Sequence, residues 1–146
     1  MKLIVDANIV FSGILNTNGK IANLLINSPK NIHFIAPDFL RQEIKKHYPK
    51  LVKISGLSHE DVIEAEFRIC KRIEFISEEQ IKIVHWLAAE ALVADIDPKD
   101  IHYVAYSKNF RCKIWSGDKA LMLGLEKKGF KNFISTNDLH KIIGGI

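Results

Sequence analysis

Short apolar runs alternate along this chain with stretches whose apolar positions recur every three or four residues. Lys2–Val5 is a strand-length apolar run that stops at Asp6. Ile21, Leu24 and Leu25 have helical spacing, and Ser28-Pro29 ends that helix at Asn27. Residues 33–35 read as a strand, after which Pro37 and Asp38 open a helix to about His47. Residues 49–54 form another short helical piece. Ser58 precedes a helix to Arg72, with Glu60 and Asp61 in its first turn, where the helix dipole favours acids. Residues 72–76 read as a strand, and Ser77-Glu-Glu-Gln80 as a capping box that starts a helix to about Leu92. Asp97-Pro98 starts the next helix, to about Lys108. A strand at 112–115, a helix at 118–128 ended by Gly129, a strand at 132–134 and a final helix capped by Thr136 complete the pattern. No element is assigned between Asp6 and Ile21.

Short apolar strands separated by helices predict a mainly parallel sheet covered on both faces, a three-layer α/β/α domain. The 146 residues suit one domain, spanning 1–146, and the chain has no repeat, low-complexity tract or linker. In open α/β sheets functional groups gather beyond the carboxyl ends of the strands. Four acids fall in that neighbourhood.

Asp6 directly follows the first strand; capping a turn or helix, with Asn8 and Ser12 bonding local backbone, is its purely structural explanation. Glu43 lies beside the apolar stripe of Phe39, Leu40 and Ile44, where an ionised carboxylate needs a cationic partner or a metal. DIDPKD at 95–100 holds three aspartates. Asp97 is the natural N-cap, with Pro98 at N1 and Asp100 at N3. One acid suffices to cap, so three invite a second explanation. In WSGDKAL, Asp118 again follows a strand and precedes a helix, with Ser116 as a competing cap. Acids after two strands and on two helices would converge on one sheet edge. Crowded carboxylates repel, and a divalent cation relieves them; oxygen-only ligands favour Mg²⁺ or Mn²⁺ over zinc. Such a site with a basic rim suits phosphodiester hydrolysis.

Four pieces together resemble the PIN-domain family, of the kind found as the toxin in VapBC toxin–antitoxin pairs: VDANIVFSGIL at 5–15, LRQEIKKH at 40–47, DIDPKDIHYVAYS at 95–107 and IWSGDKAL at 114–121. Each is weak alone; the ordered set is specific and spans essentially the whole chain. The resemblance implies a compact α/β/α fold and Mg²⁺- or Mn²⁺-dependent ribonuclease activity on single-stranded or structured RNA. It places the family's four catalytic, metal-binding acids on Asp6, Glu43, Asp100 and Asp118. Ser116 and Asn8 take the supporting polar positions, and Asp97 is an assistant or substitute for Asp100. A homodimer and an antitoxin whose tail blocks the site are further implications, with residues 49–76 as a candidate partner surface.

The remaining features sharpen the picture only slightly. A net charge of +4 suits a polyanionic partner without requiring one. Lys119, next to Asp118, is a candidate phosphate contact, although helix-surface solvation explains it equally well. His47 and His102 lie near candidate acids but fit core-edge or surface histidines better than ligands in an oxygen site. Trp86 and Trp115 fit packing better than base stacking, and Glu64 and Glu66 a solvated helix face. Cys70 and Cys112 lack the spacing of a zinc site and read as small buried hydrophobes. No apolar run is long enough to span a bilayer, and Asp6 interrupts any signal-peptide core, so a cytoplasmic protein without a membrane partner is the default expectation. A non-catalytic RNA-binding or protein-interaction module on the same fold is the alternative, though it needs no set of four acids. A haloacid-dehalogenase site would want Asp where Asn8 stands. A receiver domain would want a phosphoacceptor Asp after the third strand, which ends instead in Ser77. No glycine-rich turn follows the first strand, which argues against dinucleotide binding.

Overall fold

The computed structural model describes residues 1–97 and 100–144. Five strands, β1 (Lys2–Val5), β2 (His33–Pro37), β3 (Ile73–Ile76), β4 (Lys113–Trp115) and β5 (Phe133–Ile134), form one sheet in the order β3-β2-β1-β4-β5. Every pairing is parallel. The expected layered α/β/α fold is therefore present. β1 is central, and its alternation explains both layers. Leu3 and Val5 enter a core with α1 (Ala7–Leu15), α2 (Lys20–Asn27), α3 (Phe39–Lys46), α4 (Tyr48–Ser55) and α5 (His59–Cys70). Ile4 faces the opposite core, built on α6 (Ile83–Val93), α7 (Ile101–Phe110) and α8 (Lys119–Glu126). Burial on both faces is why β1 reads as an unbroken apolar run. The last helix, α9 (Thr136–Ile143), closes the first core through Leu139.

Four local features differ from the sequence pattern. α1 occupies a stretch given no element. Its Ile9, Val10, Gly13 and Ile14 are buried, so tertiary packing outweighs the weak helix propensity of β-branched residues. Gly13 permits close passage over α5: a Cβ there would lie 3.1 Å from Ile69 Cδ1. Ser77 caps only a 3₁₀ turn at Glu78–Gln80, accepting from the Glu79 amide, and α6 starts later, at Ile83. α7 starts at Ile101, with Asp100 rather than Asp97 in the N-cap position; Pro98 lies outside the described residues. α9 is capped by Ser135, whose hydroxyl accepts from the Asp138 amide. Thr136 instead accepts a hydrogen bond from the indole of fully buried Trp115, 3.0 Å away, tying β4 to α9.

Other side chains fall close to expectation. Both cysteines are free and half-buried, and each packs beside a core. Glu66 departs from its solvated reading, since both its carboxylate oxygens accept from the Tyr48 hydroxyl at 2.7 Å. No helix among the described residues is long and apolar enough to cross a membrane.

Ile4 is fully buried at the centre of the second core. Ile4→Ala is expected to lower unfolding stability by about 2–5 kcal/mol, read by urea denaturation; a loss under about 1 kcal/mol would contradict this placement.

Candidate active site at the carboxyl edge of the sheet

The register of the central strands builds the site. Val5 pairs with Trp115, so the residues that follow, Asp6 and Ser116, leave the sheet side by side. The Asp6 amide donates to the Trp115 carbonyl at 3.2 Å. The Ser116 hydroxyl donates to Asp6 Oδ2 at 2.7 Å, and the Asn8 amide donates to Oδ1 at 3.2 Å. Asp6 is thus both the N-cap of α1 and a carboxylate only 5% exposed. Ser116 is also fully buried, and its oxygen accepts from the Asp118 amide at 3.0 Å. One hydroxyl therefore links the first acid to the turn that carries the fourth. Asn8 contributes through its backbone, while its side chain is exposed.

Asp118 caps α8 by accepting from the Leu121 amide at 3.0 Å. Only one carboxylate oxygen is used there, so capping leaves the other available. Asp100 is half-buried at the head of α7. The three aspartates of 95–100 divide their work. Asp95 pairs with Lys128, which holds its carboxyl below the ordinary range. Asp97 is exposed, and Asp100 feels the charges of the other acids.

Charge effects link several of these acids. Burial pushes the Asp6 carboxyl up, and the Asp118 charge adds to this, against the lowering hydrogen bonds from Ser116 and the Asn8 amide. The Asp100 carboxyl is pushed up to about 7, first by burial and then by the charges of Asp97, Asp6 and Asp118. Asp6, Asp100 and Asp118 thus share one electrostatic neighbourhood. Glu43 stands further out, with its carboxylate 3.6 Å from His47 Nε2, and it meets the group through its effect on Tyr103. That partner is a histidine four residues further along the chain.

Tyr103, on the first turn of α7, was not singled out by sequence reasoning. It is 4% exposed, and its hydroxyl has no hydrogen-bond partner among the described residues. The signal for it was only positional: it lies three residues after Asp100, hence on the same helical side. His102 faces elsewhere, packed against Phe39 and Trp86 and 3.3 Å from Glu78 Oε2 in a neighbouring groove. Half-buried Trp86 also meets Tyr106 edge-on, so it packs rather than presenting a stacking face. Lys119 is exposed beside Asp118.

The donor set fits a hard divalent cation in its chemistry: carboxylate oxygens held in mutual repulsion, with an unsatisfied buried hydroxyl beside them. Among the described residues, however, no three His, Cys, Asp or Glu side chains stand as a finished ligand cage.

A parallel sheet carrying acids at its carboxyl edge defines the general class of this protein. The PIN-domain family model matches residues 4–137, which include all four acids. The chain belongs to the PIN-domain family. No curated protein matches it. Among solved structures, it is similar to a chain in the crystal structure of VapBC2 from Rickettsia felis bound to a DNA fragment from their promoter. The TM-score is 0.63 at 14% identity, covering 92% of this chain and 97% of that one. That likeness is one of fold.

The raised Asp100 carboxyl has a consequence for stability. Its ordinary value is 3.8 and its folded value about 7, so over this interval the folded state holds a proton that the unfolded chain releases. Its stabilising contribution is complete below the lower value and is lost as pH rises through the upper one. Without divalent ions, Asp100→Asn is expected to be more stable than wild type near pH 8 and nearly equal near pH 4. Denaturant melts at both pH values check this; a gap independent of pH would contradict it.

Proposed function

We propose that this protein is a metal-dependent endoribonuclease that hydrolyses RNA phosphodiester bonds at the carboxyl edge of its sheet. The observation that supports the reading is the mutual electrostatic influence of Asp6, Asp100 and Asp118 beyond the central strands of a PIN-domain chain. Asp6, Asp100, Asp118 and Glu43 would hold Mg²⁺ or Mn²⁺. A cation bound there supplies Lewis acidity at the phosphate and a more acidic water.

The chain's own groups do the positioning. Ser116 and the Asn8 amide fix both oxygens of Asp6, which leaves the remaining lone pairs of its carboxylate directed by the fold. The α1 amino end, which Asp6 caps, favours negative charge at this edge. Asp97 adds negative charge beside Asp100 and assists in attracting the cation. Lys119, exposed next to Asp118, would contact an RNA phosphate.

We extend the reading to a toxin of a toxin–antitoxin pair, acting in the cytoplasm as a homodimer and restrained by an antitoxin protein. The support is family membership together with the likeness to a chain from a VapBC2 complex.

The test is cleavage of a structured RNA with Mn²⁺ or Mg²⁺. Wild type is expected to cut, EDTA to stop it, and Asp6→Asn or Asp118→Asn to abolish it. Ser116→Ala should retain activity reduced by about 10–100-fold, the range for a group that orients a metal ligand. Equal cutting by wild type and Asp6→Asn would refute the assignment. RNA binding without cutting under every metal condition would favour a non-catalytic RNA-binding module.

A further inference from the structure

The buried hydroxyl of Tyr103 has no evident use within the fold. A neighbouring tyrosine on the same helix shows the ordinary arrangement: the Tyr106 hydroxyl donates to the Ile76 carbonyl at 2.7 Å. Tyr103 is buried to a similar degree, yet its hydroxyl makes no such bond among the described residues. The Ala7 amide lies beside it, but an amide is a donor and offers nothing to the hydroxyl's own proton. A buried polar group left in this state is costly, and native structures seldom keep one without a reason.

Its surroundings indicate the reason. Tyr103 feels the charges of Asp6, Asp100 and Glu43, which come from the end of β1, the head of α7 and the middle of α3. Burial and these charges both oppose ionisation, so the group remains a neutral donor. Its ring packs edge-on against Phe39, at the start of the helix that carries Glu43, with centroids 6.0 Å apart. The ring is therefore anchored, and its hydroxyl lies within the electrostatic reach of these carboxylates without bonding any of them.

We propose that Tyr103 is a positioning residue of the acid site, whose hydroxyl is satisfied only when the carboxylates gather on a divalent cation. In that state Tyr103 Oη donates to a carboxylate oxygen of Asp6, which already accepts from Ser116 and Asn8. A third donor fixes the rotamer of this acid and spreads part of its charge. The empty site retains an unsatisfied donor, and the loaded site removes it. This inference rests on the metal-site reading proposed above.

The test compares wild type, Tyr103→Phe and Tyr106→Phe by thermal unfolding in EDTA and by calorimetric titration with Mn²⁺ alone. In EDTA, Tyr103→Phe is expected to unfold at the wild-type temperature or above it, because it deletes an unsatisfied group. Tyr106→Phe should unfold at a lower temperature, because it deletes a buried hydrogen bond to the Ile76 carbonyl, which keeps only the Asp38 amide. With Mn²⁺ the order changes. Tyr103→Phe should bind the ion roughly tenfold more weakly than wild type, the effect of one charge-assisted hydrogen bond. Tyr106→Phe should bind it like wild type. Equal Mn²⁺ affinity in wild type and Tyr103→Phe would overturn the role of Tyr103 and leave the metal site standing. A lower unfolding temperature for Tyr103→Phe in EDTA would also overturn it, since the hydroxyl would then be satisfied without the ion. No Mn²⁺ binding by wild type would overturn the metal-site reading and this inference together.

Discussion

The parallel pairing of β1 with β4 is the constraint on which the site depends. It aligns Val5 with Trp115 and therefore brings Asp6 and Ser116 out of the sheet as neighbours, although 110 positions separate them. A single-residue change of register would send either strand's side chains to the opposite face. Burial holds the pairing in place: Leu3, Val5 and Trp115 share one core, while Ile4 and Ile114 share the other. The hydrophobic layers thus fix the polar edge, and the acids need supply no folding energy of their own.

Asp6 illustrates how structural and chemical duties coexist. It caps α1, and burial raises its carboxyl, while Ser116 and the Asn8 amide oppose that rise. The same bonds that satisfy a helix terminus immobilise a potential ligand. Asp118 repeats the arrangement at α8. A helix cap and a metal ligand are compatible because a carboxylate has more lone pairs than one amide can use. Asp100 differs, since it makes no side-chain cap bond and meets mainly like charge. It is the acid with most to gain from a cation.

Much of this organisation was legible in the sequence. Short apolar runs at β1, β2 and β4 can be little else than buried strands, and an acid or serine directly after such a run is placed by connectivity alone. The unread parts have physical causes. ANIVFSGIL carries few good helix formers, and its polar stripe is only Asn8 and Ser12, because α1 is buried on much of its surface; its helix depends on packing that periodicity records weakly. Ser77 resembles a helix cap, and only the chain path reveals that its turn stops before Ile83. The Asp95–Lys128 pair joins positions 33 apart, which no local pattern encodes. Tyr103 was hidden for a related reason: on an apolar helix face a tyrosine reads as core, and its missing partner is apparent only in three dimensions.

The proposed function requires that these acids hold an ion. Anomalous diffraction from crystals grown with Mn²⁺ tests it most directly. The prediction is a Mn²⁺ peak at the carboxyl edge of β1 and β4, with the Asp6 carboxylate and those of Asp100 or Asp118 turned onto it. Well-ordered acids with no peak between them at saturating Mn²⁺, or a peak confined to another surface, would contradict it.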